Sequence, residues 1–124
     1  MKGVVLVVDD SAELRTAVET ILRQHGYEVV CAPDGARGLA LLPLLKRPAV
    51  AVVDYSMPAM DGSDVVARAT RDPVTRDIPI IMLTGDANAA KKLRGIFAFV
   101  QKPFTSADLI VVIDRAFAAI GALS

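Results

Sequence analysis

Five side chains in this sequence are of types that together handle metal and phosphate: Asp9, Asp10, Asp54, Thr84 and Lys102. Three carboxylates gathered at one place repel, and their proton affinities are pushed apart unless a cation neutralises them. A hard divalent ion meets that need. Mg²⁺ takes one or two carboxylates, some waters and a phosphate oxygen. An Asp carboxylate can also attack phosphorus and form an aspartyl-phosphate. The charge on a transferring phosphoryl group then calls for Mg²⁺ on one side and an ammonium such as Lys102 on another. A hydroxyl such as Thr84 can donate a hydrogen bond to a phosphoryl oxygen. Singly, each residue has an ordinary reading. Acids suit a helix N-terminus, Asp54 suits a strand-end turn, Thr84 a cap and Lys102 a solvated surface. The chemical reading requires the fold to bring them together.

The elements that must do so can be read from the hydropathy pattern. Short apolar, β-branched runs occupy Val4–Val8, Tyr27–Cys31, Ala49–Val53, Ile78–Leu83 and Ile96–Gln101. They are apolar throughout rather than alternating, as strands buried on both faces are. Between them lie helical patterns. Leu14, Val18, Ile21 and Leu22 form one apolar stripe, and Leu109, Val112, Ile113, Ala116, Phe117 and Ile120 another. Shorter helices fit Gly35–Leu42, Ser63–Thr70 and Asn88–Arg94. Asp10 with Glu13, and Thr105 with Asp108, have capping-box spacing. Asp34 suits the N-cap of the second helix, and Pro43 ends or kinks that helix. Strands alternating with helices predict a parallel sheet with right-handed crossovers and helices on both faces. Ligands bind such sheets at the carboxyl ends of the strands. Asp9 and Asp10 follow the first strand, Asp54 the third, Thr84 the fourth and Lys102 the fifth. All five belong to one rim.

Composition bounds the alternatives. The chain has 124 residues, enough for one domain, and 53% are apolar. Fourteen Lys and Arg balance fourteen Asp and Glu, which argues against a charge-driven nucleic-acid partner. A mean hydropathy of +0.45 excludes disorder. The apolar runs are too short for a membrane span, and the N-terminal run is too short for a signal peptide. Cys31 is the single cysteine, so there is no disulfide framework; it reads as core. His25, before Gly26, reads as a helix C-cap.

The sequence resembles a response-regulator receiver domain along essentially its whole length. The resemblance rests on Val7-Val8-Asp9-Asp10, on Asp54-Tyr55-Ser56-Met57-Pro58-Ala59-Met60-Asp61-Gly62, on Ile80-Ile81-Met82-Leu83-Thr84-Gly85 and on Val100-Gln101-Lys102-Pro103-Phe104. It implies a flavodoxin-like, doubly wound α/β fold with five parallel strands in the order 2-1-3-4-5, residues 1–124 forming one domain. It implies that Asp54 accepts a phosphoryl group from a phosphohistidine on a sensor histidine kinase or histidine phosphotransfer protein. Asp10 and Asp54 would ligate Mg²⁺, with Asp9 acting through a water and the Ser56 backbone carbonyl completing the set. Lys102 would hold a phosphoryl oxygen, Thr84 would move to the phosphoryl group, and Phe99 would turn inward with it. The Lys102–Pro103 bond would be cis. Ser56 and Asp86, two positions past Asp54 and Thr84, would tune hydrolysis; Asp86 also suits a helix cap. Phosphorylation would switch the surface of the fourth helix, fifth strand and fifth helix. The protein would be a cytoplasmic phospho-acceptor rather than an enzyme, a monomer or weak phosphorylation-dependent dimer, with no output domain in these residues and no direct contact with nucleic acid or membrane.

One interval departs from the family pattern. Thr84 and Lys102 are eighteen positions apart, short of an ordinary receiver by about one helical turn. The segment 86–95 is therefore short for a full fourth helix. From 87 to 102 there are four bases, Lys91, Lys92, Arg94 and Lys102, and no acid. A solvated helix face is the commoner meaning of such a run, and a docking patch for an acidic partner the other. Two other functions use similar residues. A Mg²⁺-dependent aspartyl-phosphate phosphohydrolase would show an Asp-x-Asp nucleophile motif and a cap domain, and here Asp54 is followed by Tyr55 and Ser56. A degenerate receiver acting only as a binding module would lack part of the acid, Thr and Lys set.

Overall fold

The computed structural model describes residues 2–121; Met1 and residues 122–124, the ends of the expected domain, lie outside them. Five parallel strands, β1 (Val4–Val8), β2 (Glu28–Ala32), β3 (Ala49–Asp54), β4 (Ile80–Thr84) and β5 (Ala98–Gln101), form one sheet in the order β2-β1-β3-β4-β5. The helices are α1 (Ala12–Gln24), α2 (Gly35–Leu41), α3 (Gly62–Arg71), α4 (Ala87–Lys91) and α5 (Ser106–Ala119). The alternation of patterns predicts the parallel sheet with helices on both faces, and this flavodoxin-like strand order is the one the receiver resemblance implies.

The continuous apolar strands follow from two separate cores. On β1, Val5 and Val7 face one way and Leu6 and Val8 the other, as the two-residue repeat of a strand requires. Val5, Val7, Val50, Val52, Ile81 and Leu83 pack with Val18 and Leu22 of α1 and Leu109, Ile113 and Phe117 of α5. Leu6, Val8, Ala51, Val53, Ile80 and Met82 pack with Val65, Val66 and Ala69 of α3. Each buried Val, Leu or Ile side chain contributes about 1.5–3 kcal/mol.

The boundaries differ from the sequence reading in places with local causes. β2 begins at Glu28 because Tyr27 is an anchor: its ring stacks on Phe117 at 4.9 Å, and its hydroxyl donates to Asp114. β4 begins at Ile80, since Ile78 closes a turn by donating its N–H to Thr75. Pro43 does end α2, and the chain continues as a 3-10 turn over Leu42–Leu44. The capping box expected of Asp10 and Glu13 is not formed. α1 starts one residue later, so the Ser11 hydroxyl is the cap and accepts from the Leu14 N–H. The Thr105–Asp108 box and the Asp34 cap are present. A further box, Asp61 with Asp64, starts α3. The interval after Thr84 holds a five-residue α4, as its shortness implied.

The turn from β3 into α3 is set by a close approach. A Cβ on Gly62 would lie 2.6 Å from the Met82 sulfur and 2.9 Å from both the Asp54 carbonyl oxygen and the Tyr55 Cα. The last two are backbone and cannot yield without moving the end of β3. Gly62→Ala should therefore destabilise the protein by about 1–3 kcal/mol in urea unfolding. Gly85→Ala, where nothing lies within 4 Å, should stay within about 0.5 kcal/mol of the parent.

Candidate functional site

Register and alternation together place the site. Val8 pairs with Val53, Asp54 with Leu83 and Thr84 with Gln101, so four strands end side by side. Asp54 lies on the same pleat face as Val50 and Val52, toward α1 and α5. Thr84 lies on the face of Ile80 and Met82, toward α3 and α4. Phe99 packs half-buried on that second face.

Asp9, Asp10 and Asp54 each offer a carboxylate oxygen within 4.8 Å of the others. Asp9 and Asp54 are buried, at 1% and 4% exposure, and Asp10 is exposed. The Asp9 Oδ1 accepts from the Ser11 N–H at 2.9 Å, while its Oδ2 is buried with no hydrogen-bond partner. Burial raises the Asp9 pKa above the ordinary value; the Ser11 bond opposes this, and the neighbouring Asp54 charge adds to it. Across the rim the Lys102 ammonium donates to Asp54 Oδ1 at 2.7 Å. The Lys102–Pro103 peptide bond is cis, and so is Arg47–Pro48, which no motif marks.

This donor set suits a hard divalent cation. All the ligands are carboxylate oxygens, and one of them, Asp9 Oδ2, is buried without any compensating donor. An orphaned buried acceptor of this kind costs about 1–3 kcal/mol. A cation at the centre of the three acids would answer both the orphan and the repulsion. Asp9, Asp10 and Asp54 thus form an acidic pocket consistent with the Mg²⁺ site typical of receivers.

Of the other expected residues, Thr84 ends β4, Asp86 precedes α4 and Ser56 follows β3. The Thr84 hydroxyl is buried and bonded to the backbone of Asp86, accepting from its N–H at 2.9 Å and donating to its carbonyl at 3.2 Å. The Asp86 carboxylate caps α4, accepting from the N–H groups of Asn88 and Ala89 at 3.0 and 3.1 Å. The cap reading of Asp86 is the one its geometry shows. Ser56 is exposed in the loop after β3. His25 caps α1, its ring Nδ1 donating to the Ile21 carbonyl. Cys31 is only half-buried, and burial beside Glu19 pushes its thiol up to about 11, which leaves it protonated and unreactive at neutral pH. The Asp61–Asp64 box, which seats the acid-bearing loop on α3, has the same Asp at its third helical position as the Thr105–Asp108 box; that shared spacing is the signal that finds it.

Fold and acidic pocket together define a signalling receiver, and the chain belongs to the response regulator receiver domain family, whose profile matches residues 5–114. The chain is 31% identical over 119 residues to chemotaxis protein CheY-3 of Vibrio cholerae, covering 91% of this chain and 90% of that protein. It is 38% identical over 112 residues to the probable transcriptional regulator ycf27 of Cyanophora paradoxa, covering 87% of this chain and 45% of that one. The chain therefore spans about half the length of the ycf27 regulators it matches. Among solved structures, chemotaxis protein CheY4 of Vibrio cholerae superposes with a TM-score of 0.83 at 33% identity, over 92% of this chain and 98% of that one. A receiver domain from Clostridium thermocellum gives 0.85 at 26% identity, over 96% and 97%.

Two outcomes test the charge balance of the pocket. The raised Asp9 pKa means that the native state holds a proton in the window from the ordinary Asp value up to the raised one. Stability without a cation thus falls as pH rises through that window. Asp9→Asn should remove this slope and raise cation-free stability at neutral pH by about 1 kcal/mol, while reducing the rise in melting temperature that Mg²⁺ gives the parent. Lys102→Met leaves the buried Asp54 carboxylate without its hydrogen-bond donor and should cost about 1–3 kcal/mol. Denaturation with and without Mg²⁺ should show that loss shrinking when the cation is added.

Proposed function

We propose that this protein is a two-component receiver that accepts a phosphoryl group on Asp54 from a phosphohistidine. The observation that carries the reading is the joint geometry of the rim. Three acids offer oxygens within 4.8 Å, and a lysine ammonium sits 2.7 Å from the buried one. A lone acidic cluster would not need the lysine, and a lone ion pair would not need two further carboxylates.

An Asp54 carboxylate oxygen would attack phosphorus as the bond from phosphorus to the donor imidazole nitrogen breaks, and the imidazole would leave with that electron pair. Mg²⁺, held by Asp10 and Asp54 with Asp9 behind a water and the Ser56 carbonyl alongside, would supply charge neutralisation at the phosphoryl oxygens. Lys102 is already at Asp54, so it needs only to shift from carboxylate to phosphoryl oxygen. Thr84 would turn its hydroxyl from the Asp86 backbone to another phosphoryl oxygen. These contacts exist only with the phosphoryl group present, so phosphorylation favours the arrangement that makes them. Water attack at phosphorus would return free Asp54 and phosphate. Ser56 and Asp86 are the positions that would tune this step.

The surface expected to respond lies beside Thr84 and Phe99. It comprises the short α4, β5 and α5, with an open groove of about 640 Å³ lined by Phe99, Lys102, Pro103 and Val111 among others. We read the whole chain as one phospho-acceptor domain without turnover of its own. Its phosphodonor is a sensor histidine kinase or histidine phosphotransfer protein, and its output is a protein contact or a weak phosphorylation-dependent dimer rather than direct binding of nucleic acid. Among the described residues no helix is long and apolar enough to cross a membrane. Receivers are usually cytoplasmic, and a cytoplasmic setting is part of this reading.

Incubation with Mg²⁺ and a small phosphodonor such as acetyl phosphate should add one phosphoryl mass. The adduct should be absent from Asp54→Asn and from Mg²⁺-free samples. Steady hydrolysis of many phosphate esters with no adduct would favour a phosphohydrolase instead. An adduct that persists in Asp54→Asn would place the acceptor elsewhere.

A further inference from the structure

We infer that Asp86 is a positioning residue for Thr84: by capping α4 it holds the Thr84 hydroxyl in its resting place, and loosening that cap releases the hydroxyl toward Asp54. The inference rests on the receiver function proposed above and adds a named control on one of its contacts.

Five hydrogen bonds converge on Asp86. Its N–H donates to the Thr84 hydroxyl oxygen at 2.9 Å, and its carbonyl accepts from that hydroxyl at 3.2 Å. The same carbonyl accepts from the Ala90 N–H at 3.2 Å. Its carboxylate accepts from the Asn88 and Ala89 N–H groups. The first pair holds Thr84; the other three start α4. One residue thus joins the site hydroxyl to the helix behind it.

The helix has little else to hold it. It is five residues long, and Ala90 is its only buried residue. Nucleation is costly, and helices of this length do not persist on propensity alone. Its N-cap is therefore a large share of its stability. Gly85, between Thr84 and Asp86, has nothing within 4 Å of where a Cβ would stand. That open space leaves room for the Asp86 backbone to shift while β4 stays in place.

The two ends of the link are then coupled. The Thr84 backbone is fixed by its strand, so its hydroxyl reaches a phosphoryl oxygen on Asp54 by rotating its side chain. That rotation gives up both bonds to Asp86. When Asp86 is well placed as the α4 cap, both bonds are available and rotation is disfavoured. When the cap is lost, the Asp86 backbone wanders and the resting state loses its advantage. A smaller resting advantage leaves a larger competent fraction, and apparent affinity for a phosphoryl mimic rises by that factor.

The test uses the whole chain with Mg²⁺ and beryllofluoride, which mimics a phosphoryl group on a carboxylate, followed by calorimetry. Asp86→Ala should bind about fivefold tighter than the parent, the factor that corresponds to a typical cap. Asp86→Asn keeps the capping oxygen and should stay within about twofold. Unchanged or weaker binding by Asp86→Ala would overturn the inference. So would equal tightening by Asp86→Asn, which would assign the effect to charge. A second measurement needs no phosphate chemistry. In amide hydrogen exchange, Thr84→Ala should speed exchange at Asp86 and Ala90 several-fold, and unchanged rates would refute the link itself. If the parent fails to bind beryllofluoride at all, the receiver reading falls and takes the role at the phosphoryl group with it, while the exchange result still decides whether Thr84 and Asp86 are coupled.

Discussion

The structure is organised around a concentration of negative charge that it does not neutralise by itself. Asp9, Asp10 and Asp54 share a space a few ångströms across, and the Lys102 ammonium on Asp54 is the one cation paired within it among the described residues. Charges that close repel in a partly buried setting; burial, and after it the Asp54 charge, raises the Asp9 pKa, and one Asp9 carboxylate oxygen is left without a partner. A protein shaped only for stability would replace at least one of these acids. A divalent cation at the rim would relieve this repulsion.

The rest of the fold makes that rim possible. The strands are buried on both faces, so the sheet is rigid and its register is specified by two cores rather than one. The register sets the ends of β1, β3, β4 and β5 level. The pleat then sends Asp54 toward α1 and α5 and Thr84 toward α3 and α4. This division separates the charged centre from the element that would report its state. Thr84 and Phe99 share that second face, and Gly62 lets the acid-bearing turn lie against Met82 and α3.

Most of this was legible before any coordinate. The five strands, their parallel sense and the rim residues follow from apolar runs, helix stripes and the placement of chemistry-bearing residues after strands, and the strand order from the family resemblance. The brevity of α4 was legible from the spacing of Thr84 and Lys102. What escaped depends on contacts that one-dimensional patterns do not carry. Ser11 rather than Asp10 caps α1 because the helix starts one residue later, and this leaves Asp10 free for the acid cluster. Tyr27 looked like a strand residue because aromatics favour strands, but its stacking on Phe117 makes it an anchor before β2. Cys31 packs against the core as read, but only partly buried, with its thiol beside Glu19, a contact no pattern marks. The link between Thr84 and Asp86 is backbone geometry two residues apart, with no signature in residue type beyond a hydroxyl and a cap.

The central claim is that the three acids and Lys102 form one preformed centre for a divalent cation and a phosphoryl group. Crystals grown with Mn²⁺ and beryllofluoride test it most directly, because the metal is located by its anomalous scattering independently of any assumption about ligands. The account predicts one anomalous peak against the carboxylates of Asp10 and Asp54, with beryllofluoride on Asp54 and in contact with Lys102. A peak elsewhere, or beryllofluoride on another carboxylate with Asp54 still held by Lys102 alone, would contradict it.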